Sequence, residues 1–233
     1  MSTLNVLSLW ERGQIQDPVD RPLELLLAAC AETEPASLDE LSIGERDTRL
    51  LRLRELTFGP RLAGVTDCPN CDGRLELEFD VGQMNAIQPS SAPRFLEHSG
   101  YEIEFRLPNS HDLRAARAVS DAAYARVILF ERCTKCPLPL DEAPAEVIEA
   151  VASAMSLADP QGDLRIALEC PICRCSWEEI FDIASFLWHE VRALAMRIAY
   201  EVHQLASAYG WSEVDIVAMS SRRRQIYLEM LAE

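Results

Sequence analysis

Apolar positions along the chain fall into two rhythms, and the switches between them divide it. From Ile183 to Tyr209 the apolar residues Ile183, Leu187, Val191, Leu194, Ile198, Val202, Leu205 and Tyr209 step by 4, 4, 3, 4, 4, 3 and 4. The mean step of about 3.7 suits a straight amphipathic helix packed on a globular body, since a two-stranded left-handed coil repeats at about 3.5. Shorter runs of the same rhythm predict helices over 3–12, from Pro22 to about Cys30, from Ser42 to Phe58, from Asn109 or Ser110 to Cys133, and over 145–158. The second rhythm is alternation. Arg74 to Val81, Tyr101 to Leu107 and Leu164 to Glu169 alternate apolar and polar residues with the period of half-buried strands, and the pattern resumes around Trp177.

Punctuation agrees with this division. Thr3 and Gly13 are placed to cap and stop the first helix, and Asp20 with Pro22 suits the start of the second. Ser37 with Glu40, Ser42 with Glu45 and Ser212 with Asp215 have capping-box spacing, and Ser220 or Ser221 can open a final helix carrying Ile226, Tyr227, Met230 and Leu231. Gly59 and Pro60 stop the helix before them, Thr33 to Ala36 and Gln88 to Pro93 read as linker and loop, Pro137, Pro139 and Pro144 break the pattern, and Asp159 to Asp163 is a turn.

Four cysteines stand at the ends of predicted strands: Cys68-Pro69-Asn70-Cys71 and Cys170-Pro171-Ile172-Cys173. In each Cys-Pro-x-Cys a tight turn aims two thiolates at one point, and two such turns supply the four soft ligands of a closed tetrahedral zinc site. Cys68, Cys71, Cys170 and Cys173 are therefore the expected metal ligands, forming two halves of one split zinc ribbon. A closed site has no open position for water or substrate, so the expected Zn2+ is structural. The expected fold class is α+β, predominantly helical with a small split zinc-ribbon β element. Its regions are a helical N-terminal part (1–67), the first ribbon half with strands (68–107), a helical insertion (108–163), the second ribbon half (164–181) and a helical C-terminal part (182–233).

The remaining candidate chemistry is thinner. Cys133-Thr134-Lys135-Cys136 repeats the spacing at the end of a predicted helix and leaves open a ligand set that uses it. Cys30 reads as a buried helical residue and Cys175 as a bystander. A redox reading of the paired thiols needs a helix N-terminus after a strand, whereas strand-like sequence follows both Cys-Pro-x-Cys turns. His98, His111, His189 and His203 lack ligand spacing with carboxylates, and no phosphate loop, nucleophile elbow or His-Glu-x-x-His is present, so no enzyme activity is expected.

Charge narrows the partners. With 48% hydrophobic residues the 233-residue chain can bury a substantial core, and its net charge of −16 repels a polyanion. The alternative reading is nevertheless a zinc-ribbon nucleic-acid-binding or regulatory module. Arg222, Arg223 and Arg224 form the one dense basic run, in the first turn of the last helix, where they oppose the helix dipole. The chain's own carboxylates, a partner's acidic surface or, as the least favoured reading, nucleic acid must favour them, and together with Trp211 and Tyr227 they are the expected partner-binding residues. No apolar stretch reaches membrane-spanning length, and the start lacks a basic region and a small-residue cleavage site, so a cytoplasmic location is expected.

These motifs in combination carry a resemblance. Leu41-Ser-Ile-Gly-Glu-Arg-Asp-Thr-Arg-Leu-Leu51, Phe58-Gly-Pro-Arg-Leu62 with the Cys-Pro-x-Cys after it, Phe186-Leu-Trp-His-Glu190, and Ala208-Tyr-Gly-Trp-Ser-Glu213 running into Arg222-Arg-Arg-Gln-Ile-Tyr-Leu228 resemble a family of baseplate proteins. That family occurs in contractile phage tails and phage-tail-like contractile injection systems. The resemblance covers both ends and both knuckles, while residues 82–163 add little and Cys133 to Cys136 has no place in the pattern. It implies a structural or assembly role in a baseplate, with other baseplate, tube or spike proteins as partners and incorporation into a tail-like particle.

Overall fold

A computed structural model describes residues 3–29, 35–84, 94–135 and 144–231. Cys30, Cys136, Pro137, Pro139, the loop from Gln88 to Pro93 and the Thr33 end of the predicted linker lie outside the described residues. In chain order, α1 (Thr3–Gln14) and α2 (Arg21–Ala29) precede the short α3 (Pro35–Asp39) and α4 (Ile43–Phe58). Then come β1 (Arg61–Asp67), β2 (Arg74–Asp80), the single turn α5 (Val81–Met84), β3 (Phe95–His98), β4 (Tyr101–Phe105), α6 (Ser110–Arg117), α7 (Ala122–Cys133), β5 (Thr134–Lys135) and α8 (Ala145–Ala158). A 3-10 turn at Pro160–Asp163 leads into β6 (Arg165–Glu169) and β7 (Ser176–Ile180), followed by α9 (Ile183–Tyr209), α10 (Glu213–Ala218) and α11 (Ser221–Leu231). Helices hold most of the described residues and the strands form three small antiparallel sheets, so the class is α+β and predominantly helical.

Two compact units make up the chain, residues 1–31 with 184–233, and residues 32–183. In the first, α9 buries Leu187, Val191, Ala195, Ile198 and Leu205, while Leu194 and Val202 are half-buried and Tyr209 is exposed. The long stripe thus packs over most of its predicted length. α1 packs on α2 and α10, and it runs through Gly13, which does not stop it. The lack of a side chain at Gly13 has another use, because a Cβ there would lie 2.2 Å from Trp188 Cη2. Arg21 sits over the Trp188 ring at 5.1 Å and donates its Nε to the Gly13 carbonyl at 2.9 Å, satisfying an end carbonyl of α1.

In residues 32–183, α4 begins as its sequence predicts. Ser42 Oγ accepts the Glu45 N–H at 3.2 Å, and the Glu45 carboxylate accepts the Ser42 N–H at 3.0 Å. Gly59, at φ +92°, ends the helix in a conformation that favours glycine. Ser37, in contrast, lies inside α3 and does not cap it. Gly44 donates its N–H to Asp159 Oδ2 at 2.9 Å, tying the first turn of α4 to the end of α8. A second part of the core joins Ile103 and Phe105 of β4, Leu107 just after it, Phe130 of α7, and Val147 and Val151 of α8.

Two sequence expectations need correction in this unit. The helix expected from Asn109 or Ser110 to Cys133 is two helices, α6 and α7, and Ser120 and Ala123 of the expected stripe are exposed. Asp121 causes the break: its Oδ1 accepts the N–H groups of Ala123 and Tyr124 at 2.7 and 3.1 Å, so it caps a new helix and does not continue the old one. Strand β1 occupies the end of the stretch read as helical. Its Gly64 and Thr66 sit where apolar residues would mark a strand, and its pairing with β2 supplies the hydrogen bonds that its weak pattern does not announce.

Candidate metal centre

Two antiparallel hairpins build the site. β1 pairs with β2 from Arg61 opposite Asp80 to Asp67 opposite Arg74, and β6 pairs with β7 from Arg165 opposite Ile180 to Glu169 opposite Ser176. Each turns through a Cys-Pro-x-Cys with the same backbone bonds. Cys68 N donates to Gly73 O at 2.9 Å and Asp72 N to Cys68 O at 2.9 Å; Cys170 N donates to Cys175 O at 2.8 Å and Arg174 N to Cys170 O at 2.9 Å. Asp72 and Arg174, each just after the second cysteine, take φ of +54° and +62°. For a non-glycine residue this left-handed turn costs about 1–2 kcal/mol, which the hairpin and the site must offset.

The likeness extends past the turns. Phe79-Asp80-Val81 and Phe181-Asp182-Ile183 close the two hairpins at the same distance from their cysteines, and Phe79 meets Phe181 edge to face at 5.8 Å and 88°. The two knuckles are therefore the visible part of a longer internal repeat. Its signal was present in the matched Phe-Asp-Val and Phe-Asp-Ile, but unlike strand residues between them hide it.

Folding brings Cys68, Cys71, Cys170 and Cys173 together, with all four sulfurs within 4.8 Å of one another. Cys68 Sγ lies 3.6 Å from Cys173 Sγ, and Cys71 Sγ lies 3.7 Å from Cys170 Sγ, so the close pairs join one hairpin to the other. A disulfide would need about 2.05 Å. A zinc ion about 2.3 Å from each of four sulfurs places them roughly 3.8 Å apart, so the observed spacing fits the tetrahedral donor set. The first cysteine of each knuckle is buried, Cys173 is half-buried and Cys71 is exposed, which leaves one edge of the site at the surface.

Backbone N–H groups point at the sulfurs as well. Asn70 N donates to Cys68 Sγ at 3.5 Å, Gly73 N to Cys71 and Cys175 N to Cys173. Donation from the Asn70 side chain and then from the Cys175 N–H lowers the Cys173 thiol to about 6. Cys71 receives the Gly73 N–H, which favours its thiolate, but Cys173, burial and the other sulfurs outweigh it and push the thiol up to about 12. Four sulfurs in contact compete to carry negative charge, and a divalent cation would remove that competition. A Cβ on Gly73 would approach Ile172 Cδ1 to 2.8 Å and Cys71 Sγ to 3.2 Å, so the cradle is fitted closely on that side. Leu75, Leu77 and Trp177 pack around Cys68 and Cys170 and give the hairpins only a small apolar core.

The other cysteines have different surroundings. Cys175 packs on the rim of the group without joining it. Cys133 is buried at the end of α7 and donates its thiol to Asp112 Oδ2 at 3.6 Å; burial, followed by the Asp112 charge, pushes it up to about 12. Asp112 is itself a hub. It accepts from Arg106 Nη2 at 2.8 Å, Arg132 Nε at 2.8 Å and Asn109 N at 3.0 Å, and although burial opposes ionisation, these donors hold its carboxyl far below the usual carboxylate range. Sequence reading missed Asp112, whose partners lie up to 21 residues away.

In the unit of residues 1–31 and 184–233, Trp211 stacks on Tyr209 at 4.5 Å and 14° and meets Tyr227 edge-on at 4.8 Å and 76°. Arg222 and Arg223 are exposed, with Arg223 Cζ 5.7 Å from the centre of the Tyr227 ring. Arg224 turns inward: its Nε lies 2.8 Å from Glu201 Oε2, and its Nη1 donates to Met219 O at 2.7 Å and Thr3 Oγ1 at 3.3 Å. No histidine belongs to the cysteine group, and among the described residues no helix is long and apolar enough to cross a membrane.

A family model described as T4 bacteriophage base plate protein matches residues 9–136. The match takes in α4 and the first knuckle and ends before the second, so Cys170 and Cys173 lie outside it. Nothing matches this chain among curated proteins or among solved structures.

Proposed function

Because the chain belongs to the T4 bacteriophage base plate protein family, we propose that it is a non-enzymatic structural or assembly protein of a contractile tail or injection-system baseplate, stabilised by one structural zinc ion. The observation that carries the metal part is the meeting of four sulfurs from two hairpins about a hundred residues apart. Cys68, Cys71, Cys170 and Cys173 hold the ion, and the ion supplies a cross-link, not a reactive centre. Trp211, Tyr227 and the exposed Arg222 and Arg223 form a face that docks other baseplate, tube or spike proteins, with Arg224 as its internal anchor. The chain works in the cytoplasm where such particles assemble. Exposed Glu76, Glu78, Glu178 and Glu179 on the hairpins repel phosphates, which disfavours the nucleic-acid reading of the ribbon.

The test is assembly. Cells that make the particle but lack this chain should yield incomplete particles, and Cys170→Ser should reproduce the defect. Full-length, contractile particles from cells without the chain would overturn the proposal.

A further inference from the structure

The four sulfurs of the candidate metal centre are sorted by depth as well as by hairpin. Cys68 and Cys170, the first cysteines of the two knuckles, are fully buried, whereas Cys71 is exposed and Cys173 half-buried. The close contacts cross this division twice. Cys71 has its Sγ 3.7 Å from that of buried Cys170, and Cys173 has its Sγ 3.6 Å from that of buried Cys68. Each pair therefore takes one sulfur that an oxidant in solution can reach and one that it cannot, and takes them from opposite hairpins. That is the arrangement of an oxidisable thiol with a resolving thiol beside it. A disulfide holds its sulfurs about 2.05 Å apart, so closing either pair takes a shift of roughly 1.6 Å. Cys175 packs on the rim of the group with its thiol 4.0 Å from the Ser176 carbonyl, outside both pairs.

We propose that Cys71 with Cys170 and Cys68 with Cys173 are disulfide-forming pairs, through which a peroxide converts the metal centre into two covalent cross-links between the same hairpins. The inference rests on the metal reading given above and concerns what the ligand thiols do when oxidised. In the first pair peroxide meets Cys71: an S–O bond forms, the O–O bond breaks and the departing oxygen leaves as water, giving a sulfenic acid. Cys170 Sγ then attacks Cys71 Sγ, the S–S bond forms, the S–O bond breaks and a second water leaves. The second pair repeats these steps at Cys173 and Cys68. Two peroxides thus take four electrons from four thiolates and four protons from solvent and leave as four waters, and the metal, having lost its ligands, is released. A bond from Cys68 to Cys71 or from Cys170 to Cys173 would stay within one knuckle and leave the hairpins free to part, while the cross pairs span 105 and 99 residues and keep them fastened. In a reducing cytoplasm the thiols remain available to the metal; in an oxidising medium outside a cell the disulfides take over the fastening.

Treatment of the full chain, with its metal, with hydrogen peroxide tests this, read as released metal, disulfide connectivity by peptide mass spectrometry, and Tm. Full release of the metal and both cross-hairpin bonds are expected, with a Tm roughly 10–20 °C above that of the reduced, chelated chain. Cys71→Ser should lose the bond to Cys170 and keep the one from Cys68 to Cys173, and Cys175→Ser should leave the wild-type connectivity unchanged. Bonds within the knuckles, a bond to Cys175, or metal still held under excess peroxide overturn the proposal, and the wild-type map decides this even if a variant does not fold. A reduced chain that carries no metal overturns the metal reading instead, and the map of its oxidised form still decides the pairing.

Discussion

Removing the metal should loosen residues 32–183 by a calculable amount. The close sulfur pairs join positions 105 and 99 residues apart, so an ion held by them would close a loop of about a hundred residues. In the chain-entropy account a cross-link over such a loop is worth about 4.7 kcal/mol, because the unfolded chain loses the freedom to separate its ends. For a domain of this size each kcal/mol moves Tm by about 2–4 °C, so chelation should lower it by roughly 10–20 °C. Among the described residues the hairpins are otherwise joined by contacts such as Phe79 on Phe181, the Thr66 hydroxyl on Glu179 at 3.5 Å and a few apolar side chains around Cys68 and Cys170, which would not replace four metal–sulfur bonds. The assay is elemental analysis of the purified, reduced chain, followed by calorimetry before and after chelation and after zinc is returned. One metal per chain and a reversible drop are expected. A chain without stoichiometric metal, or a Tm that does not move on chelation, refutes the reasoning.

Other substitutions read other parts of the structure. Asp112→Asn removes the carboxylate that Arg106 and Arg132 share and should cost about 3 kcal/mol, at the low end for a broken buried pair because both arginines reach water. Since the folded-state carboxyl is held below its unfolded value, the Asp112 contribution is present above about pH 3.9 and fades as the pH falls, so denaturant curves of wild type and variant should converge in acid. Gly44→Ala would normally favour a helix, but here its Cβ would lie 1.7 Å from Asp159 Oδ1; a loss of about 1–3 kcal/mol is expected, and a gain measured by chemical denaturation would contradict the packing. Cys133→Ser should leave metal content at the wild-type level, because that thiol faces Asp112, and elemental analysis that finds less metal would place Cys133 in the site.

Much of the fold was legible in local pattern. The 3.7-residue stripe of α9, the Ser42 and Glu45 box of α4, the Asn109 cap of α6 and the alternation of β2 and β4 all follow from residues within a turn or two of one another. The cysteine spacing also marked the two knuckles, because the tight turn each one needs is encoded in four adjacent residues. Tertiary structure decided what depends on distant partners. It chose Cys170 and Cys173, over the thiol of Cys133, to meet Cys68 and Cys71, and gave Cys133 to Asp112. It also turned Arg224 inward to Glu201 while leaving Arg222 and Arg223 outside, and paired β1 with β2 despite a weak alternation. Identical residue types received opposite roles in these places because burial and charge are settled by what packs alongside, which no local period records.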